Sequence, residues 1–394
     1  MTWAAVKDHL AAMRPRALLA SLLIAGLAIT FGAVSAVKNF GLPDLLDTPT
    51  QPSEFALKGM VSGIARQGDR LIAVGARGLI MVSLDAAKTW KQVAVPVSTD
   101  LVSVKFSDAM NAWAVGHDAV ALHSVDGGAT WQKVLDGRSV LALLRDTYAT
   151  RAKAGDATAV AMSAEVERSA AQSATPDALP SPFLDVWFAN TNEGYLVGAF
   201  GLILRTTDGG KQWEPWIERL DNERRFHLYA VTGDDTQRYI AGEQGLLLRL
   251  DATANRFTKV ETPYAGTYFG LDVKGPRLVA YGLRGNAYAQ TDPSGPWNKV
   301  ETGIDANLVA AVQTADNQLM LVSQAGQVLA VSEDLRTSTP VKTSVTGEVL
   351  GAVSNGTRGI VLAQMGGVKS LIIDAIPTVT LAVSVDSTMK DIAK

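Results

Sequence analysis

The first candidates for catalytic residues in this chain are aspartates that recur along the sequence. Successive aspartates are about 40 residues apart, except for one interval that is twice as long. They are Asp85, Asp126, Asp208, Asp251, Asp292, Asp334 and Asp374. A glycoside hydrolase would need two carboxylates facing one bond, one as the acid and the other as the base or nucleophile. Nothing selects such a pair among the 39 acidic residues, so we expect no catalytic residue and no enzyme.

Metal and thiol chemistry are also disfavoured. Two of the four histidines, His117 and His123, flank one expected strand, in which six residues span about 20 Å and cannot share an ion. We interpret His123 as a structural strand residue and expect no metal and no cofactor. The chain contains no cysteine, which excludes disulfides and thiolate catalysis. A net charge of −3 provides no basic field, so no nucleic-acid partner is expected.

The residues around the aspartates indicate repeated turns. Two full copies read Ser124-Val-Asp-Gly-Gly-Ala-Thr-Trp131 and Thr206-Thr-Asp-Gly-Gly-Lys-Gln-Trp213. The carboxylate can accept hydrogen bonds from nearby backbone N–H groups, and the glycines supply positive φ. The tryptophan starts the next strand and can wedge between repeats. We assign structural roles to Asp85, Trp90, Asp126, Trp131, Asp208, Trp213, Asp292 and Trp297.

A Gly-x-x-Gly phrase between two apolar strands precedes several of these turns. It occurs at Gly75–Gly78, Gly198–Gly201, Gly242–Gly245 and Gly282–Gly285, and Gly116-His-Asp118 is the same element without its second glycine. A phosphate-binding loop would continue with Lys-Ser/Thr and a helix, and neither follows here. The phrase therefore predicts a β-hairpin.

Together the two phrases predict an all-β protein, a seven-bladed β-propeller with four strands in each blade. The blades are expected to start near Met60, Leu101, Leu184, Phe226, Thr267, Leu308 and Val349. The doubled interval between Asp126 and Asp208 leaves an eighth blade as the alternative. Residues 138–183 lack both phrases, and their composition favours a helical insertion between blades 2 and 3 that ends in a flexible linker over 169–182.

The N-terminal part has the features of a membrane signal anchor. Residues 17–37 contain no charge, follow several basic residues and can span about 30 Å of hydrocarbon. We expect a single-pass protein of the inner (cytoplasmic) membrane. The expected order is a cytoplasmic N-terminus (1–16), the anchor (17–37), a tether (38–58), a periplasmic propeller (59–376) and a C-terminal tail (377–394). Cleavage near Val37, which would release a soluble scaffold, is the alternative.

The propeller architecture also indicates where a partner would bind. The turns between the second and third strands lie on one face, opposite the Asp-Trp turns, so their tips come together there. Arginine and aromatic side chains are enriched at binding hot spots. We predict partner binding by Arg77, His117, Asp118, Phe200, Glu243, Gln244 and Arg284. The charged connection Glu218–Arg225 is interpreted as a solvated loop.

The combination of one membrane-targeting segment, Gly-x-x-Gly hairpins and Asp-Gly-Gly-x-x-Trp turns resembles the photosystem II stability/assembly factor family of seven-bladed propellers with Asp-box (BNR) repeats. The resemblance covers about Met60 to Ile376 and is sharpest in the second and third repeats. Photosynthetic members resemble assembly chaperones that hold a membrane protein precursor. Relatives in non-photosynthetic bacteria look like accessory proteins of RND-superfamily exporters. The helical insertion and eroded fifth to seventh repeats place this chain nearer the second group.

The resemblance implies a non-enzymatic accessory or assembly subunit of an integral membrane protein complex, above all an RND-superfamily transporter, with residues 17–37 contacting the lipid bilayer. The alternatives are a photosystem II assembly factor and an exported glycan-binding or glycoside-hydrolase-like propeller. A glycan site would show several exposed aromatic side chains around the central channel, and only Phe200 and Tyr195 stand at suitable positions. A sialidase would also need an early Arg-Ile-Pro phrase, which is absent.

Overall fold

The computed structural model describes residues 43–173, 175, 177–356 and 359–373. Within these residues, 27 strands form seven antiparallel sheets that follow one another along the chain. The first strands of successive sheets contact each other, and the first strand of the last sheet contacts that of the first sheet. The sheets are therefore seven blades closed into a ring, which confirms the all-β propeller. The eight-bladed alternative is wrong, because helices occupy the doubled interval.

Each blade is a meander whose strands pair in chain order. The strands of blades 1 to 3 are β1 (Val61–Gln67), β2 (Arg70–Gly75), β3 (Ile80–Ser83), β4 (Lys91–Val93); β5 (Leu101–Phe106), β6 (Ala112–Gly116), β7 (Ala121–Ser124), β8 (Gln132–Leu135); β9 (Phe183–Phe188), β10 (Gly194–Gly198), β11 (Ile203–Thr206) and β12 (Glu214–Pro215). Every blade begins within two residues of its predicted start.

The strands of blades 4 to 7 continue the same order along the chain. They are β13 (Leu228–Gly233), β14 (Arg238–Gly242), β15 (Leu247–Asp251), β16 (Arg256–Lys259); β17 (Tyr268–Lys274), β18 (Arg277–Gly282), β19 (Ala287–Gln290), β20 (Asn298–Lys299); β21 (Leu308–Gln313), β22 (Leu319–Ser323), β23 (Val328–Val331), β24 (Ser338–Val341); β25 (Val349–Ser354), β26 (Gly359–Gln364) and β27 (Gly367–Ile372). In the described part of the chain, blade 7 has three strands and every other blade has four.

The second strand of each blade is buried because neighbouring blades cover both of its faces. In β6, β10 and β22 every residue is buried. Strands covered on both faces are continuous apolar runs, as in Ala112-Trp-Ala-Val-Gly116, and do not alternate with polar residues. The core therefore lies between blades, where large side chains such as Trp113 and Tyr195 fill it.

The first strand of every blade carries a β-bulge at its second residue. A bulge leaves one residue unpaired and changes the direction of its side chain. All seven bulge residues line the central channel, and they are Ser62, Val102, Leu184, Tyr229, Phe269, Val309 and Leu350. Since six of the seven are apolar and all are partly exposed, the channel carries an apolar ring at the end where the first strands begin.

A helical hairpin connects blades 2 and 3, which confirms the predicted insertion. Its helices, α1 (Gly137–Lys153) and α2 (Ala157–Ala171), pack against each other. The side chains of Asp136 and Asp156 accept hydrogen bonds from the first free N–H groups of α1 and α2, respectively. The inward faces of both helices join the hydrophobic core of blades 2 to 4, where Tyr148 is fully buried.

Two sequence interpretations of this region differ from the structure. The first residues of the expected linker belong to the last turn of α2. Further along the linker, Leu179 is buried, and its N–H donates to the carbonyl of Gly137 (2.9 Å). The loop Glu218–Arg225 was expected to be solvated, but the hairpin provides partners for its charges. Arg225 forms a 2.7 Å ion pair with Glu165 of α2, and Glu218 is bound by α1.

The predicted N-terminus (1–16), membrane anchor (17–37) and C-terminal tail (377–394) lie outside the described residues, as does Asp374. No helix in the described part of the chain is both long and apolar enough to cross a membrane. Part of the predicted tether packs on the propeller, since Leu46 and Ala56 are buried and Thr50 N–H donates to the Val95 carbonyl (3.0 Å). From residue 45 onward this stretch is therefore not a free tether.

Candidate partner-binding face

The turns between the second and third strands of the seven blades form one end of the propeller, which we call the tip face. These turns are residues 76–79, 117–120, 199–202, 243–246, 283–286, 324–327 and 365–366. The connection from each fourth strand to the next blade reaches the same end, because strand direction alternates. The tip face contains all seven residues that the sequence predicts for partner binding.

A repeated backbone hydrogen bond holds every turn of the tip face. The N–H of the residue after the second strand donates to the carbonyl of the residue before the first strand, as from Ala76 to Met60 (3.2 Å) and from His117 to Asp100 (2.9 Å). All seven blades make this bond. A Cβ atom on the first glycine of the phrase, for example Gly75, would overlap that carbonyl oxygen. In the five blades that carry it, the first glycine thus leaves room for the close approach of two backbone segments, whereas blades 6 and 7 make the same bond with Ser323 and Gln364 at this position.

The next feature of these turns is a left-handed residue at the tip. The φ values are 56° at Arg77, 54° at Asp118, 56° at Phe200, 52° at Gln244 and 54° at Arg284. A second residue with positive φ follows each of them, a glycine in four blades and Ala119 in blade 2. Two such residues form the type I′ turn favoured in tight hairpins. An aromatic residue at this position is unusual because its Cβ crowds the backbone.

One group of predicted residues surrounds a cavity of about 890 Å³ between blades 1 and 2. Arg77, His117 and Asp118 line it together with Asp100 and the exposed ring of Phe55. The Asp100 carboxylate accepts a hydrogen bond from the Arg77 backbone N–H (2.7 Å), and the Asp118 carboxylate accepts one from the Thr99 hydroxyl (2.7 Å). These two acids orient the turns, while the side chains of Arg77 and His117 face the cavity.

A second group forms a line of four aromatic rings, which we call the aromatic track: Phe200, His227, Tyr229 and Phe269. Successive ring centroids are 4.8, 6.1 and 5.4 Å apart. The track starts at the tip of blade 3, where Phe200 is 59% exposed. It ends at the central channel, because Tyr229 and Phe269 are bulge residues of blades 4 and 5.

Glu243 positions the middle of the aromatic track. Its carboxylate accepts the backbone N–H of His227 at 2.7 Å and lies 3.3 Å from the ring atom Nδ1. The same His227 nitrogen lies 3.4 Å from the backbone N–H of Phe200. Burial, with the nearby Glu243 charge, raises the pKa of the Tyr229 hydroxyl. Tyr229 therefore stays neutral at physiological pH, and the track presents three uncharged rings beside one histidine.

The remaining predicted residues are dispersed. Gln244 accepts a hydrogen bond from Arg224 (3.4 Å), next to the track. Arg284 stands on a separate blade, where its backbone N–H donates to Asn307 (3.0 Å). The structure thus places Arg284 outside both the Arg77 cavity and the aromatic track.

Sequence reasoning missed His227, Tyr229 and Phe269 as parts of this face. Tyr229 and Phe269 are each the second residue in the first strand of a blade. That shared position is the sequence signal that could have identified them. The sequence interpretation of Tyr195 as a channel-side aromatic is wrong. Tyr195 is fully buried between blades, where its hydroxyl donates to Glu193 (2.9 Å).

The central channel contains one carboxylate among its described lining residues, Asp185. One oxygen accepts the Ser103 hydroxyl (2.7 Å) and the other accepts the Val231 N–H (3.0 Å). Asp185 therefore joins the inner strands of blades 2, 3 and 4. Within the described residues, no group of three or more His, Asp or Glu side chains could hold a metal ion.

The opposite end of the propeller carries the Asp-Trp turns. In blade 2, the Asp126 carboxylate accepts the N–H of Thr130 (2.9 Å) and its hydroxyl (2.6 Å), and these bonds lower the pKa of Asp126 to about 2. Trp213 packs edge-on against Trp113 of the preceding blade, with centroids 5.7 Å apart. Asp126 and Trp213 thus make contacts within one blade and between two neighbouring blades. Trp131 and Trp213 are buried, whereas Trp90 and Trp297 are half-buried.

Comparison with known proteins places this architecture in a family. Residues 65–143 and 169–332, which together are more than half of the chain, match the family model described as Photosynthesis system II assembly factor YCF48. The unmatched interval between them lies within the helical hairpin.

Curated relatives match over shorter stretches. The photosystem II assembly lipoprotein Ycf48 of Synechococcus sp. (strain CC9902) is 25% identical over 153 residues, 38% of this chain and 46% of that protein. The chloroplastic photosystem II stability/assembly factor HCF136 of Arabidopsis thaliana is 36% identical over 67 residues, 17% of this chain and 16% of that protein. The matches thus span less than half the length of these relatives.

Solved structures share the propeller fold at low identity. A structure of YCF48 bound to D1 peptide has a TM-score of 0.58 at 14% identity, covering 83% of this chain and 96% of that chain. YCF48 from Cyanidioschyzon merolae has a TM-score of 0.56 at 16% identity, covering 82% and 97%. The WD40 propeller domain of Doa1 scores 0.55 at 8% identity, covering 82% and 95%.

Proposed function

Since this chain belongs to the family of the photosystem II assembly factor Ycf48, we propose that it is a non-enzymatic accessory or assembly subunit of a membrane protein complex. Its tip face binds an extended, apolar peptide segment of that complex. The segment lies along the aromatic track and reaches the apolar ring of the central channel.

The aromatic track is the observation that carries this proposal. In an extended peptide, alternate side chains point to one side at intervals of about 6.6 Å. The ring spacings of the track, from 4.8 to 6.1 Å, are shorter than that interval, so successive side chains on one side of such a segment each lie within reach of a ring. Aromatic side chains contribute large contact areas at little cost in conformational entropy. The track therefore suits apolar side chains presented by a strand-like segment.

The rigidity of the tip face supports the same role. Every turn is fixed by the backbone bond between the residue after the second strand and the residue before the first. A preformed surface loses little conformational entropy on binding. Among solved relatives, the YCF48 structure with a D1 peptide is a propeller of this fold with a peptide ligand. That precedent supports the ligand class proposed here.

The partner complex is proposed to be an RND-superfamily transporter, on the resemblance to non-photosynthetic relatives. Photosystem II is the second candidate, favoured by the named relatives. We further propose that residues 17–37 anchor the chain in the inner membrane with its propeller in the periplasm, since that segment is uncharged and long enough. Anchoring would raise the local concentration of the propeller at its partner.

The test is a detergent-solubilised pull-down of the full-length protein from its native membrane, followed by mass spectrometry. We expect a membrane protein complex to co-purify in stoichiometric amount. The double variant Phe200→Ala/Phe269→Ala should reduce its recovery by about tenfold or more, as expected for hot-spot aromatics. Equal recovery with this variant would eliminate the aromatic track as the binding site. The identity of the co-purifying subunits decides between a transporter and a photosystem.

A matched control comes from the opposite end of the propeller. Leu84 and Val125 are 67% and 63% exposed in the Asp-Trp turns of blades 1 and 2. The variant Leu84→Ala/Val125→Ala removes comparable exposed apolar surface away from the tip face. It should leave recovery unchanged.

Glycan binding is the second class of function, because sugar rings also pack on aromatic side chains. The two bulge aromatics beside the channel favour it more than the sequence alone suggested. A glycan array probed with the wild-type protein and the Phe200→Ala/Phe269→Ala variant tests this possibility. Binding to one glycan class that the variant loses, without a co-purifying protein, would replace the peptide proposal.

A further inference from the structure

Asp185 is a buried carboxylate at the centre of the propeller. It follows the bulge residue Leu184 in β9 and is only 7% exposed. Its oxygens accept hydrogen bonds from the Ser103 hydroxyl and the Val231 N–H, but no Lys or Arg nitrogen in the described part of the chain lies within 4.0 Å of them. Aspartate is rarely buried without a paired charge, because removing an isolated charge from water is costly. Asp185 is thus a buried negative charge without a positive partner among the described residues.

The fold does not require a charge at this position. The residue that follows the bulge is small and uncharged in the other six blades, where it is Gly63, Ser103, Ala230, Gly270, Ala310 or Gly351. Those blades pack their first strands around the channel without a carboxylate. An uncharged side chain such as asparagine could also make hydrogen bonds to the neighbouring strands. The negative charge of Asp185 therefore indicates a role beyond packing.

The position of Asp185 makes it accessible from the tip face. It lies one residue further along β9 than Leu184, which belongs to the apolar ring, and one residue of a strand spans about 3.3 Å. The channel that both residues line has a volume of about 330 Å³. A group that enters from the tip face therefore passes the apolar ring first and reaches the Asp185 carboxylate next.

The other polar side chains of the channel do not neutralise this charge. The Tyr281 hydroxyl fills the space beside Gly270, where an added methyl group would overlap it. Burial and neighbouring carboxylates, Asp185 among them, raise the pKa of Tyr281, so its hydroxyl stays neutral. Lys105 is the one cation among the described lining residues. Its side chain is exposed, and it lies two residues beyond Ser103 in β5, towards the opposite end of the channel.

We propose that the central channel binds a lysine side chain of the partner segment, whose ammonium group pairs with Asp185. The four-carbon stem of a lysine can pack along the apolar ring while its charged end lies deeper. A carboxylate offers about four lone-pair positions, and Ser103 and Val231 use one each, so acceptor positions remain for the ammonium. The lysine belongs to the segment assigned above to the aromatic track, so its assignment rests on the proposed function.

Lysine suits this carboxylate better than arginine. The planar guanidinium of arginine pairs best in a bidentate geometry that uses both carboxylate oxygens together. At Asp185 one oxygen is held by Ser103 of blade 2 and the other by Val231 of blade 4. An ammonium is a compact charge that needs only one free acceptor position. Because Tyr229 and Phe269 belong to both the aromatic track and the apolar ring, the lysine enters where the track ends.

The variant Asp185→Asn in the full-length protein tests the charge. Its amide can still accept the Val231 N–H and donate to the Ser103 oxygen, and it removes an uncompensated buried charge, so the melting temperature should stay the same or rise. Partner recovery in the membrane pull-down should fall by about tenfold or more, as expected when a buried charge pair loses one partner. Unchanged recovery would overturn the proposal. A lower melting temperature together with lower recovery would also overturn it, because Asp185 would then be a structural crosslink.

Competition with short peptides tests the lysine. The immobilised protein with its bound complex is washed with acetyl-Val-Lys-Val-amide or with acetyl-Val-Met-Val-amide, whose side chain has a similar length and no charge. The lysine peptide should release several times more of the complex. Equal release by the two peptides, or none by either, would contradict the proposal. KCl at the same concentration controls for ionic strength, and equal release by KCl would favour a metal ion in the channel in place of a lysine.

A matched control comes from the opposite end of the propeller. Asp292→Asn removes an exposed aspartate charge from the Asp-Trp turn of blade 5 and should leave recovery unchanged. The Phe200→Ala/Phe269→Ala variant separates the lysine from the proposed function. If that variant lowers recovery and Asp185→Asn does not, the peptide site stands and the lysine is wrong. If neither lowers recovery, the tip face is not the binding site and both proposals fail.

Discussion

The hydroxyl of Tyr148, on helix α1, donates a 2.8 Å hydrogen bond to the Glu218 carboxylate in the connection between blades 3 and 4. Arg151, one turn further along α1, pairs with the same carboxylate. Both contacts lie near the C-terminal end of α1, where Tyr148 is fully buried. The insertion is therefore part of the packed propeller and is not a freely moving appendage.

Replacing Glu218 by alanine should destabilise the protein more than replacing Tyr148 by phenylalanine. Tyr148→Phe removes one hydrogen bond to a charged group, which costs about 1.5 to 3 kcal/mol. Glu218→Ala leaves the Tyr148 hydroxyl buried without its partner and removes one of the two carboxylates that pair with Arg151, which keeps only Asp156. Urea unfolding followed by tryptophan fluorescence measures both. The exposed pair of Arg145 and Glu167 is the control, and Arg145→Ala should cost less than about 1 kcal/mol.

The first glycine of each Gly-x-x-Gly turn should not tolerate a methyl group. At Gly75 the backbone is extended, with φ −170°, so the obstacle is the Met60 carbonyl oxygen and not the torsion angle. We expect Gly75→Ala to lower stability by about 2 to 4 kcal/mol, through displacement of the inner strand. Gly366, in the turn of blade 7, has no atom within 4 Å of the position that an added methyl group would take. Thermal unfolding should show Gly366→Ala to be nearly neutral.

The protein should become less stable at acid pH as the aspartates of the Asp-Trp turns are protonated. Hydrogen bonds from Thr130 lower the pKa of Asp126 to about 2, against about 3.9 for an unfolded aspartate. The stabilisation from a lowered pKa is fully present above about pH 4 and is lost as the pH falls towards 2. Asp126→Asn should therefore be less stable than wild type at pH 7, and the difference in melting temperature should shrink between pH 4 and pH 2. A difference that stays constant over that range would contradict this account.

The two exposed arginines of the tip face should act independently on partner binding. Arg77 lines its cavity, whereas Arg284 lies on blade 5 outside that cavity. Distant sites without shared partners usually have additive effects. Arg77→Ala and Arg284→Ala should each weaken partner recovery, and the double variant should equal the product of the two fold-changes. Unchanged recovery in the double variant would eliminate arginine contacts on this face. Its melting temperature should match wild type.

The sequence predicted the blades well because their turns require particular residues. The first glycine avoids a carbonyl oxygen, the second supplies a positive φ, and the aspartate accepts hydrogen bonds within its own turn. These are local requirements, so they leave a local pattern, and blade starts such as Leu101 and Leu308 were predicted to the residue.

The candidate site was predicted only at its exposed tips. Phe200 stands in a recognisable turn, but Tyr229 and Phe269 reach the channel through bulges, which depend on pairing with a neighbouring strand. The same bulge position holds aliphatic residues or serine in the other blades, so composition does not mark it. The docking of residues 45–58 on the propeller was missed for a different reason. Its buried side chains, such as Leu46 and Ala56, stand in apolar runs of only two or three residues, which are too short to show a strand or helix period.

Phe200 should prove costly for stability and necessary for binding. Its φ of 56° places a bulky residue in the left-handed region, where non-glycine residues are strained by about 1 to 2 kcal/mol. Asparagine tolerates that conformation better, so Phe200→Asn should not lower the melting temperature, although it loses the ring contact with His227. The same variant should reduce partner recovery in the membrane pull-down by about tenfold. A fall in melting temperature with unchanged recovery would mean that Phe200 serves the fold. We expect the opposite result, an unchanged melting temperature with reduced recovery. That result would mean that Phe200 is retained for its contact with a partner, although it strains the local backbone.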